Sequence, residues 1–77
     1  MTKYIRTKDN KIIVFSGAFT HNQFSSWKPI TAGFISFGID ENKNPSCTCY
    51  GESISLGLKS DTEKDTQLAK MQILETH

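Results

Sequence analysis

The 77-residue chain has no long hydrophobic run and few cysteines. No segment approaches the ~18 consecutive apolar residues that cross a bilayer as a helix. Lys3 and Arg6 are followed by more polar residues, so the apolar region of a secretory signal is missing. Its two cysteines are fewer than the roughly four or more of a secreted disulfide scaffold of this size. We therefore expect a soluble, cytoplasmic protein.

The sequence also lacks the motifs that carry catalysis and phosphate binding. Its five glycines match neither a phosphate-binding loop nor a dinucleotide fingerprint, and no Gly-x-Ser-x-Gly element is present. The carboxylates lie mostly in the 40–44 loop and the C-terminal tail, in a pattern typical of solvated surface. On so short a chain, most inward side chains are needed for the core. We therefore predict a non-enzymatic protein without a cofactor.

The net charge is only +1, but it is unevenly spread. Residues 1–30 contain five Lys or Arg and one Asp, a net charge of +4, whereas residues 31–77 contain four Lys and seven Asp or Glu, a net charge of −3. A basic region favours polyanions, but a nucleic-acid-binding domain is usually strongly basic as a whole. The near-neutral total therefore favours a protein partner over nucleic acid.

The first half of the chain predicts a hairpin and a short helical turn. Apolar residues at 3–7 and 11–16 flank a polar turn, and both faces of the second strand are apolar, which favours a central strand. Between residues 20 and 27, Thr20 and Gln23 have the spacing of a capping box. Phe19 and Phe24 occupy the positions of a hydrophobic staple, so we expect a short helical turn near residues 20–27.

The second half predicts further strands and a C-terminal helix. Alternating apolar residues at 31–39 and 46–50 indicate a hairpin, and alternation at 53–58 indicates a fifth strand with Ile54, Leu56 and Leu58 facing the core. From about residue 61 to residue 75 the period becomes helical, after a capping box at Ser60 and Glu63. The apolar stripe of this helix contains Leu68, Met71 and Leu74, with Ile73 at its margin.

Together these elements predict one α+β domain spanning residues 1–77. Its small antiparallel sheet has about five strands, with the short helical turn near residues 20–27 and the C-terminal helix packed on the sheet. Strand order and oligomeric state do not follow from the sequence.

The most distinctive side chains cluster in the long connection between the first hairpin and the next strand. Aromatic rings beside cations can stack on bases or anchor a partner, and long connections are often functional. The alternative is that the aromatic rings belong to the core, with Trp27 as its lid. We expect His21 by itself to be an exposed residue near a helix start. The candidate binding residues are Phe19, His21, Phe24, Trp27 and Lys28.

Cys47 and Cys49 are one residue apart on a predicted strand, so they share a face with a geometry poorly suited to a disulfide. We interpret them as reduced, buried thiols. The alternative is a metal or redox site, which for zinc needs two further ligands. Only His21 and His77 remain as conventional partners.

Two stretches resemble small proteins of bacterial phages and mobile elements, which have no assigned activity. The two stretches are residues 3–9 together with 12–15, and residues 49–60, whose sequence is Cys-Tyr-Gly-Glu-Ser-Ile-Ser-Leu-Gly-Leu-Lys-Ser. The resemblance implies a bacterial cytoplasmic accessory protein and no catalytic residues. We therefore expect a binding module that acts on a protein partner. The alternatives are nucleic-acid binding through the basic, aromatic N-terminal half and a metal or redox protein using the two cysteines.

Overall fold

A computed structural model describes residues 1–75 and shows an α+β fold. Four antiparallel strands form the main sheet in the order β2-β1-β3-β4, and a two-stranded hairpin, β5–β6, lies beside it. The predicted fold class is therefore confirmed. The strands are β1 (Thr2–Thr7), β2 (Ile12–Ser16), β3 (Pro29–Ile39), β4 (Pro45–Tyr50), β5 (Glu52–Ser53) and β6 (Leu58–Lys59).

The first hairpin forms where it is predicted, but β2 is an edge strand rather than a central one. Apolar residues on both sides of β2 do pack: Ile12 lies in one buried cluster, and Phe15 lies in another. Both faces of β2 are buried because other elements pack above and below the sheet, not because a strand pairs with β2 along each edge. The Ile12 N–H donates to Gln72 Oε1 at 2.8 Å, so a side chain covers part of this free edge.

The predicted helical turn is a 3-10 helix, His21–Trp27. The Thr20 N–H donates to Gln23 Oε1 at 2.9 Å, which is the predicted return bond of the capping box. The rings of Phe19 and Phe24 meet edge to face with centroids 6.4 Å apart, as a hydrophobic staple requires. The helix ends at Lys28, whose φ of 54° is left-handed.

The prediction of one continuous fifth strand at 53–58 is wrong, because the chain reverses direction within this segment. A turn separates β5 from β6, with the Leu56 N–H donating to Ser53 Oγ at 3.3 Å. Gly57 has a φ of 67°, a conformation that glycine adopts without steric cost. Leu56 and Leu58 pack inward as predicted, whereas Ile54 is 88% exposed at the turn.

The C-terminal helix contains α1 (Thr62–Ala69) and continues as a π-helix, Lys70–Leu74. Its N-cap is Asp61, one residue after the predicted Ser60. Leu68 and Leu74 pack on the sheet as predicted, but Met71 is exposed. A π-helix bonds i to i+5, so the wider turn shifts the predicted stripe out of phase. No helix within residues 1–75 is long and apolar enough to span a membrane.

The sheet has two differently covered faces. The helix face, under α1, holds a buried cluster that includes Tyr4, Ile35 and Ala69. The other face, which we call the open face, carries Ile5, Phe15 and Ala32 beneath the 3-10 helix and the β5–β6 hairpin. On the open face of β4, Thr48 and Tyr50 remain exposed.

Candidate functional site

The five predicted binding residues do not act as one group. His21 and Phe24 point inward: the Phe24 ring stacks on Phe15 with centroids 4.0 Å apart, and His21 is only 5% exposed. The prediction of an exposed histidine is therefore wrong. Phe19 and Trp27 are 49% and 53% exposed, and Lys28 is exposed as well. Trp27 is therefore not the core lid that the alternative interpretation required.

The imidazole of His21 is held in one orientation. Its Nε2 lies 2.8 Å from the Gly33 carbonyl oxygen, and its ring meets Phe15 and Phe34 edge to face at 5.5 and 5.9 Å between centroids. A carbonyl oxygen can only accept a hydrogen bond, so Nε2 carries the proton. In the neutral ring, Nδ1 is then an acceptor.

His21 forms part of a cleft on the open face, between the start of the 3-10 helix and the β5–β6 hairpin. The cleft has a volume of about 460 Å³. Several of its residues are distant in sequence, and no sequence motif marks them as a site. Only the turn between β5 and β6 brings Ile54 and its neighbours to this place. The lining residues are Lys3, Thr20, His21, Phe34, Gly51, Glu52, Ser53, Ile54 and Ser55.

The two charged residues of the cleft have opposite signs. Lys3 lies directly across from Phe34 in the sheet, and its Nζ donates to the Phe19 carbonyl oxygen at 2.8 Å. Glu52 supplies the negative charge. Because one cation and one carboxylate line the cleft, it has no formal net charge. Lys3 also connects the cleft to the exposed Phe19.

Gly51 sets the shape of the wall next to Phe34. Its φ is 77°, and a Cβ at this position would lie 2.9 Å from Phe34 Cδ2. Any other residue would be strained here and would displace the ring. Gly51 therefore fixes the position of an aromatic wall of the cleft.

Cys47 and Cys49 are buried, free thiols on the helix face, as predicted. Burial raises the pKa of Cys47, and burial together with the Asp65 charge raises that of Cys49 to about 12. Both are therefore protonated near neutral pH and poor as ligands or nucleophiles. Within residues 1–75 no group of three His, Cys, Asp or Glu side chains is placed to hold a metal. His21 contacts rings on the open face, and His77 lies outside the described residues.

A buried ion pair joins the helix to the sheet on the helix face. Arg6 Nε lies 2.6 Å from Asp65 Oδ1, and both side chains are almost fully buried. Asp65 Oδ2 accepts hydrogen bonds from the Tyr4 hydroxyl and from Thr31 Oγ1, the latter at 2.8 Å. The Asp61 N–H donates to the same oxygen at 3.0 Å. No pattern in the sequence indicated this ion pair, and its groups are buried too deeply to meet a ligand.

No protein-family model, curated protein or solved structure matches this chain.

Proposed function

We propose that the protein is a non-enzymatic binding module that contacts a protein partner through the open face. The observation that carries this proposal is the half-exposure of two rings that flank the 3-10 helix: Phe19, just before its N-cap, and Trp27, its last residue. Large aromatic side chains bury much apolar area with few rotatable bonds, which makes them frequent anchors of protein interfaces. The resemblance to phage and mobile-element proteins supports an accessory role in a bacterial cytoplasm.

The helix that presents these rings is anchored from below, which suits a preorganised contact surface. Phe24 stacks on Phe15, and His21 is bonded to β3 through the Gly33 carbonyl. The exposed rings are thus carried on a segment already ordered in the free protein. Less conformational entropy is then lost on binding than if a flexible loop carried them.

Charge favours a protein partner over the alternative of nucleic acid. Phosphate-backbone binding rests on several cations along one path. Lys3 donates to the Phe19 carbonyl and Lys28 directly follows Trp27, but Glu52 lines the same cleft as Lys3. The whole chain has a net charge of only +1. A mixed-sign surface of this kind is suited to the polar rim of a protein interface.

Site-specific photo-crosslinking in cells tests the proposal. A photoreactive phenylalanine analogue replaces Trp27 in one variant and Ile39 in the matched control, which is exposed on the β3–β4 hairpin. We expect a discrete adduct from position 27 that is destroyed by protease, resists nuclease and is absent from position 39. Adding Phe19→Ser to the position-27 variant should reduce the yield of this adduct several-fold. A nuclease-sensitive adduct, or equal adducts at both positions, would contradict the proposal.

Trp27 fluorescence tests the nucleic-acid alternative directly, because Trp27 is the single tryptophan. Titration with single- and double-stranded oligonucleotides should leave its emission unchanged. A saturable change that weakens as salt rises would support phosphate contacts and replace the protein partner with nucleic acid.

A further inference from the structure

The cleft on the open face contains one acceptor that the fold itself does not use. Nε2 of His21 is committed to the Gly33 carbonyl, which leaves Nδ1 as the acceptor of the neutral ring. Within residues 1–75, Nδ1 has no hydrogen-bond partner. The atom nevertheless keeps some contact with solvent. His21 lines the cleft, so its ring borders the space that a bound group would occupy. A buried ring with an accessible acceptor is suited to receive a donor from a bound group.

The walls around His21 are suited to a flat apolar group. The Phe34 ring forms one side, and its orientation is constrained by Gly51 and by the neighbouring Tyr50 ring, 5.8 Å away. Ile54, 88% exposed in the free protein, stands on the opposing hairpin and would gain apolar contacts with a group in the cleft. The volume of about 460 Å³ lies within the roughly 300–1,000 Å³ of typical ligand sites and exceeds what one aromatic side chain occupies.

We infer that this cleft receives a tryptophan side chain of the protein partner, whose indole N–H donates to His21 Nδ1. The inference rests on the proposed function and names the partner's anchoring residue. Indole is a donor with no acceptor, so its N–H matches the unused ring nitrogen of His21, which in the neutral ring is an acceptor. Its ring would lie between Phe34 and Ile54, as interface anchors lie in desolvated pockets.

A nucleobase is less suited to this cleft than an indole. It also carries an N–H and a flat ring, but it brings a phosphate with it. Among residues 1–75, Lys3 is the one lysine or arginine that lines the cleft, and Glu52 offsets its charge. One proton of Lys3 is already donated to the Phe19 carbonyl. A phosphate next to Glu52 would meet a like charge, which is unfavourable. An uncharged side chain meets no such penalty.

Two matched probes test the inference by NMR on the isotope-labelled chain. The first is N-acetyl-tryptophanamide, and the second is the same compound methylated on the indole nitrogen. We expect the first to shift the amide signals of His21, Phe34 and Ser55 saturably. The methylated probe should bind at least about fivefold more weakly, because a site built around a hydrogen bond discriminates against an analogue that cannot make it. Equal binding of the two probes, or no saturable shift at the cleft, would overturn the inference.

Two substitutions of exposed isoleucines control for position without removing core packing. Ile54→Ala should weaken the first probe several-fold, whereas Ile39→Ala, on the β3–β4 hairpin away from the cleft, should leave its affinity unchanged. Equal effects of the two would overturn the inference, as would a nucleoside monophosphate that shifts the same signals at lower concentration. If the cleft binds no indole while position 27 still crosslinks to a protein, this inference fails and the proposed function stands.

Discussion

The two faces of the sheet treat their polar groups differently. On the helix face, Arg6 and Asp65 are buried together and bonded to Tyr4 and Thr31, beneath α1. On the open face, His21 is also buried, but one nitrogen of its ring makes no hydrogen bond within residues 1–75, and the ring lines a cleft. A buried polar group whose partners are all internal contributes to the fold, whereas one with an unused bond is available to a ligand. The comparison therefore links the helix face to stability and supports the proposal that the open face serves recognition.

The difference also explains where the exposed aromatics lie. α1 spans the helix face and buries side chains from β4, including Cys47 and Cys49. The open face has only the short 3-10 helix and the β5–β6 hairpin above it, and Phe19 and Trp27 remain half-exposed there. Short elements cannot cover a sheet as completely as a helix of several turns. Incomplete cover is what leaves a cleft and an aromatic surface.

The largest expected effect on stability comes from breaking the ion pair of the helix face. Asp65→Asn keeps the shape of the side chain but leaves the Arg6 charge buried without a counter-ion. Removing one partner of a buried pair costs about 3–5 kcal/mol. We expect urea unfolding to show a loss of this size, whereas Glu63→Gln, at an exposed position of α1, should change stability by less than about 0.5 kcal/mol. Similar effects of the two would mean that the pair does not stabilise the helix face.

Alkaline pH should also destabilise the helix face. Burial and the Asp65 hydrogen bond raise the pKa of Tyr4, and burial raises that of Cys49 from 9.0 to about 12. Between its unfolded and its folded pKa, each group stays neutral in the folded protein but ionises in the unfolded chain. Their stabilisation is complete below the unfolded pKa values, near 9 for Cys49 and near 10 for Tyr4, and is lost as pH rises through the folded values.

Urea unfolding should therefore show a loss of about 3 kcal/mol between about pH 8 and about pH 10.5, of which Cys49 contributes about 2 kcal/mol and Tyr4 about 1 kcal/mol. Between these pH values Cys49 contributes more than Tyr4 to the loss of stability. Cys49→Ala should therefore reduce this pH-dependent loss by more than half. A stability that is flat across this range, or an unchanged loss in the variant, would contradict the prediction.

A smaller loss of stability than that of Asp65→Asn is expected from a substitution on the side of the 3-10 helix that packs on the sheet. Phe24→Ala removes the ring that stacks on Phe15 at 4.0 Å between centroids. Because Phe24 is only partly buried, we expect about 2 kcal/mol, below the cost of truncating a fully buried phenylalanine. Thermal or urea unfolding measures it. A loss below about 0.5 kcal/mol would show that the open face holds no core of its own.

The smallest effect on stability is expected at Trp27. Its ring is half-exposed, so Trp27→Ala should change the free energy of unfolding by no more than about 0.5 kcal/mol. The same substitution should strongly weaken binding of the partner identified by crosslinking. A loss comparable to that of Phe24→Ala would place Trp27 in the core and remove the main support for the binding surface.

Local signals in the sequence were sufficient for several elements. The Phe19–Phe24 staple and the Thr20–Gln23 spacing located the 3-10 helix because both depend on residues three to five positions apart. The turn within 53–58 was missed because apolar alternation continues across it, although Ile54 points into solvent. The edge position of β2 was missed because cover on both faces produces the same pattern as a central strand.

The candidate site was predicted only in part. Phe19, Trp27 and Lys28 are exposed, as a binding surface requires, but the sequence did not indicate that His21 is buried or that Lys3, Phe34 and the β5–β6 turn would surround it. Lys3 and Phe34 meet through strand pairing across thirty-one positions, a distance at which side-chain patterns carry no information about partners.

By itself, the sequence determined the fold class, the first hairpin, the 3-10 helix and the burial of the two thiols, because these depend on periodicity and short-range spacing. Only the tertiary structure decided which strand is at the edge, which carboxylate pairs with Arg6 and which ring nitrogen of His21 remains accessible. These depend on long-range pairing, in which strand order and the reversal between β5 and β6 bring distant side chains into contact. The open-face cleft is the product of that pairing.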